Sequence, residues 1–376
     1  MLTVIFLSGA LLCGCSGGAA GNGNELTTSP PQQAVSPTIT ASTSNGARNG
    51  AVIVSLATTT SNATIYYTLD GTTPTTSSQQ YQAPILVASN LTINAIATAT
   101  GSTTSNVATK NFTPAISSGM LVWSDEFSNS TSANAQPNPA TWTYDIGTNC
   151  CGNNELETYC AWASSTGPCN PSNPNAYVDP GGFLHIVAQQ PTAGTATYTS
   201  ARLKTQGLFS FQYGRIEAKM MLPESQGMWP AFWLLGDNIA TVNWPACGEL
   251  DVMEHIDGAN PPIGSVGPGY DWTQSSIHGT NLNGGQPYTT TGFSAALWHT
   301  YGMIWTKGQV QYYVDDPTKV YETFTPATQT GAWPFDTGPE FILLNLAVGG
   351  DWPGSPNATT IFPSQMLVDY VRIYAN

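Results

Sequence analysis

The stretch "GELDVMEHIDG", residues 248–258, sets three carboxylates, Glu249, Asp251 and Glu254, within six positions of a chain in which only 9% of residues are charged. Acids crowded into an apolar run repel one another and resist ionisation. That is the condition for dividing nucleophile and proton-donor roles between two carboxyls. Successive side chains of a strand alternate faces, so Glu249 and Asp251 share one. Glu254 lies five residues from Glu249, an odd offset that turns it to the other face. One extra residue, a β-bulge near Val252 or Met253, brings it back, with Leu250 and Val252 pointing into a core. The Glu249 and Glu254 backbones then stand roughly 13 Å apart at ~3.3 Å per residue. Side chains leaning inward reduce the carboxyl gap to several ångströms. A gap of ~5–5.5 Å suits retaining hydrolysis of a glycosidic bond, and ~6.5–9.5 Å suits inversion; this strand permits the first. The expected roles are Glu249 as nucleophile, Glu254 as general acid and then base, and Asp251 as the hydrogen-bonding neighbour that tunes Glu249.

Such a strand needs a sheet to hold it. From Leu121 onward strand-like runs recur, among them "LVWSDEF", "FLHIVAQ", "GRIEAKMML", "PAFWLLG", "SSIHGTN", "QVQYYVDD", "FILLNLAV" and "QMLVDYVRIYA". No long segment carries a helical period. About a dozen strands over residues 120–376 predict a large antiparallel β-sandwich. Residues 38–114 show shorter alternating runs, "AVIVSLA", "ATIYYTL", "APILVA" and "LTINAIATA", separated by turns such as "DGTTP". These predict a separate small β-sandwich. The expected division is a leader over 1–15, a flexible linker over 16–37, the small sandwich over 38–115 and the large domain over 119–376, with "AISSG" as a short connector.

Charge sharpens the division. Residues 1–119 hold Glu25, Arg48, Asp70 and Lys110, which cancel, so the whole net charge of −14 belongs to the large domain. A chain this acidic repels nucleic acid and anionic membranes. No phosphate loop, dinucleotide fingerprint, "GxSxG" or "HExxH" occurs. The opening "MLTVIFLSGALLCGCSGG" is too short to span a membrane and reads as an export signal. Its "LCGC" resembles a bacterial lipobox with Cys15 as the lipidated residue, although the n-region lacks Lys and Arg. The expected location is secreted or anchored by lipid at the outer surface, the membrane being touched only through that anchor. In an oxidising compartment Cys150, Cys151, Cys160 and Cys169 are expected to form one or two local disulfides, and Cys247 to stay a buried thiol in a strand.

The stretch "ATIYYTLDGTTPTTSSQQYQAPILVASNLTINAIA", residues 63–97, resembles the fibronectin-III-like modules at the C-terminus of chitobiases and hexosaminidases, within a module of 38–115. A spacer is the expected role, with Tyr66, Tyr67 and Tyr81 in its core rather than forming a sugar platform. "GELDVMEH" resembles the E-x-D-x-x-E motif of glycoside hydrolase family 16 in its bulged, laminarinase-like form. "WSDEF", "GNNELETY", "GRIEAKMMLP", "GMWPAFWLLG", "HGTN", "GGDWPG" and "VDYVRIY" continue the resemblance in order from about Leu121 to Tyr374.

The resemblance implies a β-jelly-roll with a concave sugar cleft and retaining, endo-acting hydrolysis of β-1,3-glucan. Mixed-linkage glucanase and non-catalytic glucan binding are the alternatives. It implies substrate contacts from Trp229 and Trp244 beside the cleaved bond, and also from Trp233, Trp352, Asn154, Arg215 and His278. His255 is expected to point away from the cleft. A structural calcium on the convex face, held by Glu126, Asp369 and backbone near Gly182, is also implied. No cofactor is expected for catalysis. The expected partner is β-glucan, and the chain is expected to act as a monomer.

Overall fold

The computed structural model describes residues 30–128, 131–148, 151–257 and 271–376. Two antiparallel sheets pack face to face, as in a jelly roll. In the hydrolase part, one sheet runs in the order 210–211, 340–348, 228–236, 249–254, 273–279, 282–288, with 202–204 and 143–145 joined beside 340–348. The other runs 176–178, 184–188, 364–374, 214–221, 299–306, 309–314, 320–324, with 121–125 on the edge of 364–374. The α-helix among the described residues is the four-residue turn Ile239–Val242.

Period-two patterning explains the sandwich. Along Met228–Gly236, Met228, Phe232 and Leu234 enter the core between the sheets. Along Glu340–Val348, Ile342, Leu344, Leu346 and Val348 do the same. Burying each such side chain contributes about 1.5–3 kcal/mol, so a register slip, which would turn every one outward, is strongly disfavoured. The opposite face of the first sheet is left to line a cleft.

The small sandwich is joined to the large one more closely than a spacer would be. Its strand Ile85–Val87 pairs in parallel with Ser210–Phe211, so the sheet that carries the acid strand runs on into the module. Ala51, Ile53 and Leu86 belong to the main core. Trp123 stacks on Phe209 at 4.7 Å, and its indole donates to the carbonyl of Asn45 at 2.6 Å. The backbone N–H of Arg48 donates to Val122 O, and its guanidinium to Ser124 Oγ. Two expected boundaries change accordingly. Within "AISSG", Ile116 packs against the main core and Gly119 N–H bonds Ala375 O, so this stretch is docked. At the end of the expected flexible linker, Ala34 is buried in the module core and Gln33 bridges to Thr103.

Tyr67 is 1% exposed and meets Tyr81 edge-on, so these rings belong to the module's core rather than to a platform. Cys160 and Cys169 are disulfide-bonded, and Cys151 is disulfide-bonded as well. Cys150, Cys13 and Cys15 lie outside the described residues. Cys247 is a buried free thiol, but it sits in the turn before the acid strand rather than in a strand. There, burial and the nearby Glu340 and Glu249 push its pKa up to about 12.

Candidate active site

The acid strand Glu249–Glu254 lies between 228–236 and 273–279. Glu249 pairs with Leu235 on one side and His278 on the other, while Glu254 pairs with Ala231 and Gln274. Five steps of the acid strand therefore match four on each neighbour. The extra residue is Val252, skipped where Met253 pairs with Phe232 and Asp251 with Trp233. Val252 and Met253 are consecutive yet both enter the core with Leu250, which releases Glu254 to the face of Glu249 and Asp251. Entry to the strand is set by Gly248 at φ +88°, where a Cβ would stand 2.9 Å from Pro334. Only glycine takes that backbone and that contact without strain.

All three acids line one cleft of about 1170 Å³, together with Trp229, Trp233, Trp244, His278 and Trp352. Trp244 Nε1 donates to Glu249 at 2.9 Å, and Trp229 Nε1 donates to Glu254 at 3.1 Å. Ser276 Oγ donates to the other oxygen of Glu254 at 3.4 Å and itself accepts from Gln274 at 3.0 Å. His278 Nε2 stands 3.1 Å from Asp251 and 3.8 Å from Glu249. His278 thus stands within reach of both carboxyls. Trp352 meets Trp229 edge-on at 5.4 Å and Trp272 at 6.0 Å, which fixes it at the cleft wall.

Burial dominates the electrostatics. It raises the pKa of Glu249, Asp251 and Glu254 to about 8 each, and Asp251 adds repulsion on both glutamates. His278 and the indole donors act in the opposite direction on Glu249 and Glu254. A cluster in this state holds shared protons near neutral pH. One carboxyl can stay protonated to donate while another is ionised to attack. His255 does point away, buried, with Nδ1 2.9 Å from Trp272 O and its pKa pushed down to about 4 by burial.

Of the residues expected to bind substrate, Arg215 stands away from the cleft and Asn154 at its rim. Arg215 lies on Gly214–Met221 of the second sheet, where Ile216, Ala218 and Met220 take the core and Arg215 faces outward. Its guanidinium pairs with Glu217, donates to Tyr313 Oη at 3.1 Å and stacks on Tyr374 at 3.7 Å, so its place is structural. Asn154 is exposed and donates to Asp351 at 2.8 Å, tying two rim loops together, while its neighbours Asn153 and Glu155 line the cleft.

Sequence reasoning missed a polar floor. Trp233 Nε1 donates to Asn345 Oδ1 at 2.8 Å, and Arg202 stacks on the same indole at 4.5 Å while pairing with Asp145 at 2.9 Å. Asn345 Nδ2 reaches Tyr159 Oη, which donates to Glu155 at 3.0 Å. Glu157 behind them is pushed up to about 8 by burial and by Glu155. The spacing of "NELETY" gave one usable signal, its three alternating positions Glu155, Glu157 and Tyr159. Nothing local pointed to Arg202 or Asn345.

One oxygen each of Glu249 and Asp251 and a ring nitrogen of His278 lie within 4.8 Å of one another. This is the one group of three or more metal-ligating side chains among the described residues. The expected calcium residues do not form another. Glu126 is held by Arg372 through two bonds of 2.9 and 2.8 Å, and Asp369 by Lys219 at 2.8 Å. Gly182 does come near Glu126, its Cβ position 4.0 Å from the Glu126 carbonyl oxygen. With both carboxylates already neutralised by protein cations, these side chains do not fit a divalent ion as they stand.

A two-sheet β-sandwich with paired carboxyls in a tryptophan-walled cleft defines a glycoside hydrolase. The model of glycosyl hydrolases family 16 matches residues 173–372, and that of the chitobiase/beta-hexosaminidase C-terminal domain matches 43–109. A beta-glucanase of Rhodothermus marinus is 37% identical over 68% of this chain and 84% of its own length. The laminarinase catalytic domain from Thermotoga maritima is 33% identical with a TM-score of 0.56, covering 69% of this chain and 99% of that one. The endo-beta-1,3-glucanase from Pyrococcus furiosus is 35% identical with a TM-score of 0.56, covering 68% and 94%. The chain belongs to glycosyl hydrolases family 16.

Proposed function

We propose that the chain cleaves β-1,3-glucan at internal bonds with retention of configuration. The observation that carries this is that the bulge at Val252 places Glu249 and Glu254 on one face of one cleft, each held by a different indole N–H. Relatives named as beta-glucanase, laminarinase and endo-beta-1,3-glucanase support the substrate. So does the charge of the cleft. Among the described residues, Arg202 is the one arginine or lysine lining it, and Asp145 neutralises it, which suits a neutral glucan better than a sulfated chain.

Glu249, ionised, attacks the anomeric carbon while Glu254 gives its proton to the departing glycosidic oxygen. Glu254, now ionised, takes a proton from water as that water attacks the same carbon and frees Glu249. The Trp244 N–H and the adjacent His278 stabilise the Glu249 carboxylate before attack and again as it leaves. The indoles beside the cleft pack against apolar sugar faces.

Reducing-sugar release from laminarin, curdlan, lichenan and agarose tests the substrate. Activity on laminarin should lead, and Glu249→Gln should lower it at least ~10²-fold. Release from lichenan alone would shift the reading to mixed-linkage glucan. Proton NMR of the first product anomer tests retention. We further propose export as a monomer anchored through Cys15. Membrane-fraction retention that is lost in Cys15→Ser, and a monomer mass on light scattering, are the expected results.

A further inference from the structure

A bond cleaved between two carboxyls of one strand requires the sugar chain to cross that strand. The two units it joins then lie over opposite neighbours of Glu249–Glu254. On one side Trp233, Asn345 and Arg202 line the cleft with an indole, an amide and a guanidinium. On the other side, beyond 273–279, comes 282–288, the last strand of this sheet among the described residues. We propose that Gly285 on that strand determines specificity for the leaving side, its bare backbone being the floor over which the departing sugar unit lies. The proposal deepens the β-glucan reading above and rests on it.

Strand register places this glycine. Gly285 pairs with Ser276, Ser276 with Asp251, and Asp251 with Trp233. Residues directly opposite on neighbouring strands share a face, so one row across the cleft reads Trp233, Asp251, Ser276, Gly285. Gly285 is exposed and lines the cleft. An indole therefore stands on one side of the acids, and no side chain at all stands at the matching place on the other.

The two glycines of "NGG" have different reasons to be glycine. Gly284 turns to the core, where a Cβ would stand 2.9 Å from the Phe324 ring and 3.3 Å from Ile277, so packing requires it. Gly285 answers to no such requirement. Its φ lies outside the left-handed region, and the pairing of 273–279 with 282–288 runs without a bulge. The atoms nearest to a Cβ there would be Ser276 Oγ at 3.1 Å and Gln274 Nε2 at 3.2 Å, the far ends of side chains that can give way. A glycine inside a strand weakens it, and one without a bend or a packing reason marks close approach of another molecule to the backbone. At Gly285 that approach comes from the cleft.

The two sides differ in what they must do. The unit bonded to Glu249 is held through the second step, which calls for the contacts of Trp233, Asn345 and Arg202. The other unit has to depart before water attacks, which calls for a floor that gives it room and few hydrogen bonds. Asn283, exposed on the same face opposite His278, offers an amide at the edge of that floor.

The test uses the full chain with Gly285→Val and, as the milder change, Gly285→Ala. Each is assayed on laminaritetraose and on 2,4-dinitrophenyl β-laminaribioside. The aryl substrate carries sugar on the retained side alone. Its leaving group departs without a proton, so the second step limits kcat, and that step needs Glu254 as base. It therefore reads the Trp233 side of the cleft, and also any disturbance passed through Ser276 to Glu254. The expected result is a fall of about tenfold in kcat/KM on the tetraose for Gly285→Val and a smaller fall for Gly285→Ala, with kcat on the aryl substrate unchanged in both. An unchanged tetraose rate in Gly285→Val would show that no sugar lies over Gly285 and would overturn the proposal. An equal fall on both substrates would make the glycine a space for Gln274 and Ser276, or place it on the retained side, and would overturn it too. Failure of the unaltered chain to cleave either substrate would instead remove the functional reading itself, and this floor with it.

Discussion

Trp244 donates its indole N–H to Glu249 at 2.9 Å from a ring that is 57% exposed. An exposed tryptophan is free to meet a sugar, yet this one also holds the carboxyl expected to attack. A hydrogen bond to an anion stabilises the anion, so Trp244 ties substrate contact to the charge of the nucleophile. Trp244→Phe keeps the apolar surface and removes the donor. It should lower kcat roughly 10- to 100-fold, with a smaller change in KM. An effect on KM alone, in steady-state assays on laminarin, would show that the ring only binds.

The pH profile depends on His278. Burial raises Glu249 and Glu254, and His278 holds both lower than burial alone would. The nucleophile must be ionised, so activity climbs as pH rises through the pKa of Glu249. Replacing His278 with Gln removes the opposing influence, and the pKa rises further. The acid limb of kcat/KM should therefore move to higher pH, as read from a pH–rate profile between about 4 and 9. A limb that stays in place, or moves down, contradicts this electrostatic assignment.

Deleting Val252 should abolish hydrolysis while leaving the chain folded. Without that residue the acid strand matches its neighbours one for one, and the alternation of faces turns Glu254 toward the core side. The expected loss exceeds about 10³-fold, whereas far-ultraviolet circular dichroism keeps its β signature. Activity within tenfold of the parent would mean that the bulge does not position the acid.

Module and hydrolase domain should unfold together. Leu86 is 7% exposed and stands in the main core, on a strand paired to Ser210–Phe211. Leu86→Ala is expected to cost about 2–5 kcal/mol and to lower the midpoint of a single calorimetric transition. Two separate transitions in the parent chain would show that the shared sheet does not couple them.

Calcium should matter little to stability. A divalent ion at Glu126 and Asp369 would have to compete with Arg372 and Lys219 for the same carboxylates. Midpoints with millimolar calcium and with a chelator are expected to agree within about 1 °C. A clear rise with calcium would show that the ion displaces Lys219.

The sequence carried the acid triplet with its bulge, because period-two alternation is a local property and the odd offset of Glu254 has one local remedy. Trp229, Trp233, Trp244 and Trp352 were legible from the motifs around them. Arg215 was not, because the face a strand turns outward depends on which sheet it joins. Arg202, Asn345 and Ser276 converge from strands far apart in the chain, so no spacing announces them. The seam between module and hydrolase domain was hidden for the same reason. A composition boundary near Gly119 marks where charge changes, not whether two sandwiches share hydrogen bonds. Sequence determined the chemistry and the strand that bears it, through short-range patterning. Tertiary structure alone decided which distant side chains surround it, because pairing between strands is set by whole-sheet packing rather than by neighbours in the chain.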